Sequence, residues 1–220
     1  MLKFINFFLL TFILLIKPVF ADDIAVTSVE ARQWAYDKGQ QLLLTLAETD
    51  PATKFAKLDK MMLEDVNLDY IGRFVIGKYA RKMTPQQKEQ YNSLFRRYAL
   101  SLYKQINLNF DASAVKFTID FVTEFPKYAV VGCTVDPSDL FKKNHIKIDK
   151  VPAKFKLIRG EGNRIQAVDV EISEVSMVIE YRKRFYQMIH SEGDNMEWFL
   201  EKFEDKVKAN EEAILKRQSL

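Results

Sequence analysis

Apolar positions recur at helical spacing up to Ile106, alternate with polar ones from Val115, and return to helical spacing after Ile172. In "TSVEARQWAYDKGQQLLLTL", Thr27 with Glu30 three positions on forms a capping box, in which each side chain satisfies a backbone N–H that the first helical turn leaves open. Val29, Trp34, Leu42, Leu43 and Leu46 are the apolar positions of this expected helix, and Asp50 and Pro51 close it. "TKFAKLDKMMLEDV" and "LDYIGRFVIGKYA" predict two shorter helices. The longest periodic segment, "TPQQKEQYNSLFRRYALSLYKQI", opens with a Thr84 cap, Pro85 and Gln87, proline fitting the first helical position where its missing N–H costs nothing. Tyr91, Leu94, Phe95, Tyr98, Leu102 and Ile106 then make one apolar stripe.

The period changes to two in "VKFTIDFVTEF", where Val115, Phe117, Ile119 and Phe121 alternate with Lys116, Thr118 and Asp120, the pattern of a strand with one buried face. "KYAVVGCTV", "IKIDKVPAKFKLI" and "NRIQAVDVEI" supply three more strands, with Gly160 and Gly162 turning the last hairpin. Connections this short require antiparallel pairing, and Pro152 marks the third strand as an edge or a bulge. After the sheet, Val175, Val178, Tyr181, Phe185, Met188 and Ile189 make a helical stripe, and Gly193 breaks the chain before a last helix containing Met196, Trp198, Phe199, Leu200, Phe203 and Val207. The predicted architecture is α+β: helices packed on one face of a curved four-stranded antiparallel sheet, with an apolar pocket wherever helices do not fill the curve.

The chain begins with Lys3, an apolar run from Phe7 to Ile16 broken only by Thr11, and "KPVFADD". That is the layout of a secretory signal peptide cleaved after Ala21; as a membrane anchor the run falls short of the roughly 20 residues that span a bilayer. Residues 22–208 are expected as one domain and 209–220 as a polar tail that frays. Losing Lys3 and Lys17 from 33 basic residues leaves 31 against 30 acidic ones. A charge of +1 gives no general pull toward phosphate backbones, so nucleic acid is not an expected partner. Cys133 is the lone cysteine, so no internal disulfide forms, and His145 and His190 offer no metal-ligand spacing.

No catalytic constellation emerges, and neither a metal nor a cofactor is called for. "SEVSM" around Ser176 lacks the flanking glycines of a nucleophile elbow, so Ser176 reads as a capping or joint residue. Cys133 sits in an apolar strand without a basic neighbour and reads as a small buried hydrophobe. What remains is apolar surface in excess: 12 phenylalanines and 9 tyrosines follow the leader, and Leu100, Tyr103, Met177, Ile179 and Tyr186 lie off the stripes. Either the core is thick or a second face lines a cavity.

"YIGRFVIGKYARKMTPQQKEQYNSLFRRYALSLY", then "VDVEISEVSMVIEYRKRFYQMI" and the Trp198 to Phe203 helix, resemble in order the MlaC-like periplasmic phospholipid-binding proteins, the toluene-tolerance auxiliary family. The shared features are an aromatic-apolar segment ending in G-x-Y, a TP-x-Q helix start with F-R-x-Y, and a V-S-M joint after the last strand; Glu174 departs from a frequent glycine. The resemblance implies a soluble periplasmic carrier with phospholipid as its cargo. It would shuttle lipid, and so maintain outer-membrane lipid asymmetry, between an outer-membrane lipoprotein–porin complex and an inner-membrane ABC transporter complex containing an MCE-domain protein. The alternatives are an enzyme on a cone-shaped α+β fold acting on a hydrophobic small molecule, or a protein-binding module.

On this reading the lipid-binding wall comprises Val115, Phe117, Ile119, Phe121, Phe155, Val175, Met177 and Val178. The basic residues Arg96, Arg97, Arg182, Lys183 and Arg184 are expected around the pocket mouth.

Overall fold

The computed structural model describes residues 25–105, 111–141 and 149–218. The expected leader, Ile106, His145 and the part of the third strand before Asp149 lie outside the described residues. Thr27 caps α1 (Ser28–Leu46) in the expected box with Glu30. Asp50 caps α2 (Pro51–Asp65), and Asn67 caps α3 (Leu68–Ile76), which tightens into a 3-10 turn over Gly77–Lys82. Thr84 and Gln87 make the second box, opening α4 (Pro85–Lys104).

The sheet follows in chain order: β1 (Lys116–Phe125), β2 (Tyr128–Asp136), a four-residue helix α5 (Ser138–Phe141), β3 (Val151–Arg159), β4 (Ile165–Ile172) and β5 (Val175–Ser176). All neighbours pair antiparallel in the order β1-β2-β3-β4-β5, an open sheet. The fold is thus α+β, with one strand more than the sequence pattern predicts. β5 has two residues, facing Glu171 and Ile172, too few to show alternation. Pro152 sits in central β3 rather than on an edge, opposite Thr134, one residue in from the strand's start, where the strand tolerates a residue without an N–H.

Two helices close the chain, α6 (Met177–Ser191) and α7 (Met196–Gln218). The segment beyond Lys208, expected to fray, continues α7 to Gln218; Ile214 is buried and Glu211 pairs with Arg97.

The molecule has two apolar clusters. In the larger, α3, the 3-10 turn, α4, α6 and α7 turn their stripes on one another, burying Tyr91, Phe95, Tyr98, Phe185, Phe199 and Phe203. Phe185 and Phe203 meet nearly edge-on with centroids 5.0 Å apart, and Tyr98 meets Phe203 at 5.5 Å, the geometry that sets a ring's positive edge on a negative face. The Tyr91 hydroxyl donates to the Gly72 carbonyl at 2.9 Å, and burial pushes its pKa well above the ordinary value. Trp198 of α7 is 57% exposed. The second cluster lies between α1 and the sheet, from Val26, Ala31 and Ala35 to Ala129, Val131, Cys133 and Leu157. Burial raises the Cys133 thiol to about 12, as suits a small buried hydrophobe.

Phe185 touches four other aromatic rings of the helical cluster besides Tyr91. Phe185→Ala is expected to destabilise the protein by about 3–5 kcal/mol, read as a lowered denaturant midpoint with unchanged m-value.

Candidate functional site

α1 reaches the sheet through its smallest side chains. Ala31 and Ala35 are buried, and a turn further on Gly39 comes so close to β1 that a Cβ there would stand 2.7 Å from the Phe117 ring. The larger apolar residues of α1 are therefore not what seats it. Val29 is 78% exposed and Leu42 40%, while Trp34 packs partly buried with its ring 6.4 Å from Phe155. Bulky residues on the seated face would hold the helix off the sheet; alanine and glycine let it settle.

Phe117 and Ile119 point to α1, and with Arg32, Gln33 and Tyr36 they line an open cleft of ≈ 390 Å³ between α1 and β1. Val122, Phe155 and Ile165 pack against the same cluster. Phe121 does not join them. Ile119 pairs with Cys133 and Phe121 with Gly132, so Asp120 is an extra residue and the strand changes phase. A side chain at Gly132 would collide with the Phe121 ring, which lies on the sheet's open face at 43% exposure. Strict alternation missed the bulge and put Phe121 on the wrong side. Val115 caps the 3-10 turn Ala112–Ala114 just before β1 and is half-buried.

The other expected wall residues lie apart from this cleft. Val178 is buried in the helical cluster. Val175 and Met177 line a second opening, of ≈ 370 Å³, with Glu180, Tyr181 and Arg184. Ser176 between them is the joint that the sequence suggests: its Oγ accepts from Ile179 N at 3.2 Å and donates to Asp169 Oδ2 at 2.6 Å, while Asp169 Oδ1 accepts from Val178 N. Glu174 takes a left-handed φ of 67° after Ser173 at 48°, a conformation that costs a side-chain-bearing residue about 1–2 kcal/mol.

Polar clasps hold α1 at its perimeter. Ser28 N donates to Glu124, Arg159 Nη2 reaches Glu30 at 2.5 Å, and Lys38 reaches Asp65 at 2.7 Å. The Arg159 guanidinium, with the Thr27 hydroxyl and backbone, lowers the Glu30 carboxyl to about 2. Among the described residues the buried side-chain polar atoms without a hydrogen-bond partner are Trp34 Nε1, Asp65 Oδ2 and Arg159 Nε. All three belong to α1 or to its clasps. An unpaired buried polar atom costs about 1–3 kcal/mol, so this seat is the least satisfied junction described. Sequence reading missed the Ala31, Ala35, Gly39 spacing of four, the signal that could have revealed it.

The basic residues expected around a mouth are mostly neutralised. Arg96 pairs with Asp69 at 2.8 Å, Arg97 with Glu211 at 2.6 Å and Lys183 with Glu180 at 2.6 Å. Arg182 and Arg184 instead lie over the rings of Phe74 and Tyr181. Among the described residues no group of three or more His, Cys, Asp or Glu could hold a metal ion, and no helix is long and apolar enough to cross a membrane.

Residues 41–205 match the sequence model of the family described as MlaC protein. The chain belongs to the MlaC family. The fold is similar to that of a phospholipid-binding protein from Ralstonia solanacearum solved in complex with a phospholipid. That likeness has a TM-score of 0.62 at 15% identity and covers 82% of this chain and 98% of the other. No curated protein matches the chain. The family match spans the end of α1, the sheet and the helical cluster, so both clefts border family-matched residues.

Gly39→Ala sets a helix-propensity gain of about 1 kcal/mol against the strain of displacing a packed ring, about 1–3 kcal/mol. A net loss of stability is expected, read by thermal melting. Glu30 also carries a pH dependence. Its carboxyl lies below the ordinary 4.5 in the folded chain, so its contribution is present above that value and is lost as pH falls toward about 2. Glu30→Gln is expected to lower the melting temperature at neutral pH and to shrink the decline seen in the parent between about pH 5 and pH 3.

Proposed function

We propose that this protein is a soluble phospholipid carrier that holds acyl chains between α1 and the sheet. The observation that carries this reading is the likeness, over 82% of the chain, to a protein solved with a phospholipid bound, joined to membership of the MlaC family. The α1 cleft supports the location. It is lined by Phe117 and Ile119, borders the apolar sheet cluster, and is covered by the helix whose seat leaves polar atoms unpaired.

At ≈ 390 Å³ the cleft is at the low end of pockets for small ligands, about 300–1,000 Å³. Two acyl chains of on the order of 30 methylenes, at about 0.8 kcal/mol each, need cover worth roughly 20 kcal/mol or more. Cargo of that size enters by parting α1 from the sheet, the Phe117 ring leaving its place against Gly39. The carrier works in the periplasm after cleavage behind Ala21. It exchanges lipid mouth to mouth with an outer-membrane lipoprotein–porin complex and an inner-membrane ABC transporter containing an MCE-domain protein, because release into water would be too slow.

Lipid extraction and mass spectrometry of protein recovered from full-length expression should find phospholipid at near-stoichiometric level; its absence would count against a carrier. Ile119→Asp puts an unpaired carboxylate into the α1 cleft, opposing both packing and cargo. It should cut the lipid content while circular dichroism retains the folded signal. A folded Ile119→Asp protein with the parent's lipid content would move the cargo away from α1.

A further inference from the structure

In the helical cluster α3 and α6 lie side by side and leave apolar side chains in water. Tyr70 and Phe74, one turn apart on α3, are 39% and 36% exposed, and Ile179 at the start of α6 is 48% exposed. Cations surround them. The Arg182 guanidinium lies over the Phe74 ring at 4.8 Å from its centroid, Arg73 sits between Tyr70 and Phe74 in sequence, and the Lys78 ammonium is 5.6 Å from the Tyr186 ring beneath Arg182.

The two acids that could quench this charge are engaged elsewhere, Asp69 by Arg96 and Glu180 by Lys183. Among the described residues no carboxylate pairs with Arg73, Lys78 or Arg182. The open sheet face also exposes Phe121 and Phe125, with Tyr128 stacked on Phe125 and the Lys156 ammonium 4.0 Å from the Tyr128 ring, but Asp120 lies there too and Glu171 takes the Lys154 ammonium; the α3–α6 face carries three cations without a paired carboxylate among the described residues.

The patch pairs apolar side chains with hydrogen-bond donors. Arg182 gives one bond each from Nε and Nη2 to the Tyr186 hydroxyl, at 3.2 and 3.0 Å, and a guanidinium has five donors in all. A protein partner presents donors and acceptors together, whereas the surface of an anionic bilayer presents phosphate and ester oxygens above an apolar layer. Aromatic and aliphatic side chains that enter the headgroup boundary, flanked by lysine and arginine, are what such a surface binds. We propose that the α3–α6 face docks the protein onto anionic phospholipid bilayers, with Tyr70, Phe74 and Ile179 entering the headgroup layer and Arg73, Lys78 and Arg182 meeting lipid phosphates. Docking of this kind requires no bound cargo and stands apart from the cleft beside α1.

The test is co-sedimentation of protein recovered from full-length expression with vesicles of phosphatidylcholine alone or mixed with phosphatidylglycerol, at low and high salt. Binding is expected to the mixed vesicles only, and to fall with salt. The double substitution Arg73→Glu and Lys78→Glu should lower it at least tenfold, and Phe74→Ala severalfold. Lys202→Glu with Lys206→Glu, the same charge change on the outer side of α7, should leave it near the parent level; all variants are first checked for parental melting and lipid content. Equal loss in both double variants, equal binding to neutral vesicles, or no binding at all would overturn the proposal. Retention on poly-glutamate resin that is lost in the Arg73 and Lys78 double variant, without vesicle binding, would assign the face to an acidic protein instead and would overturn it too.

Discussion

The distance between α1 and the sheet governs what this molecule can enclose. Four helices and the 3-10 turn spend their apolar stripes on one another, so the inner face of β1 and β2 depends on α1 for cover. Because α1 presents Ala31, Ala35 and Gly39 there, it settles until the Phe117 ring meets the backbone at Gly39. Little space is left. The small side chains that allow this closeness also make the seat easy to leave, since alanine and glycine bury little apolar area.

The polar perimeter adds to that balance. Clasps through Glu30, Lys38 and Ser28 hold α1 in place, yet they leave Arg159 Nε and Asp65 Oδ2 buried without partners. Exposed ion pairs contribute at most about 1 kcal/mol each, comparable to the penalty of the atoms they strand. An acyl chain that replaced α1 against Phe117, Ile119 and Phe155 would exchange one apolar contact for another. Such an exchange needs no large input of free energy, and it fits a helix held by orientation more than by burial.

Much of this was legible in the sequence. The capping boxes at Thr27 and Thr84, the stripe through Tyr91, Leu94, Phe95 and Tyr98, the antiparallel strands and the joint at Ser176 follow from local rules that tertiary packing did not override. What was not legible has local physical causes. A single extra residue, Asp120, reverses the facing of Phe121, and no feature of "FTIDFVTEF" announces it. Hydrophobicity ranks Val29 and Leu42 above Ala31 and Gly39, whereas close helix–sheet packing selects by size. The last helix ran past Lys208 because Ile214 and Glu211 find partners on the folded protein that a polar count cannot foresee.

The joint at Ser176 ties the helical cluster to the sheet without α1. Asp169 on β4 accepts from both the Ser176 hydroxyl and Val178 N, so one carboxylate fixes the first turn of α6 to the sheet. Asn67, just before α3, donates from its backbone to the Ala167 carbonyl at 2.9 Å, and its side chain donates to Gln166, whose own amide reaches back to the Glu64 carbonyl. The helical cluster is thus anchored along β4, the far side of the sheet from β1. The α1 cleft opens beside β1, at the free edge. Anchorage and opening lie at opposite edges, so the hydrogen bonds that fix the helical cluster to the sheet do not pass through α1.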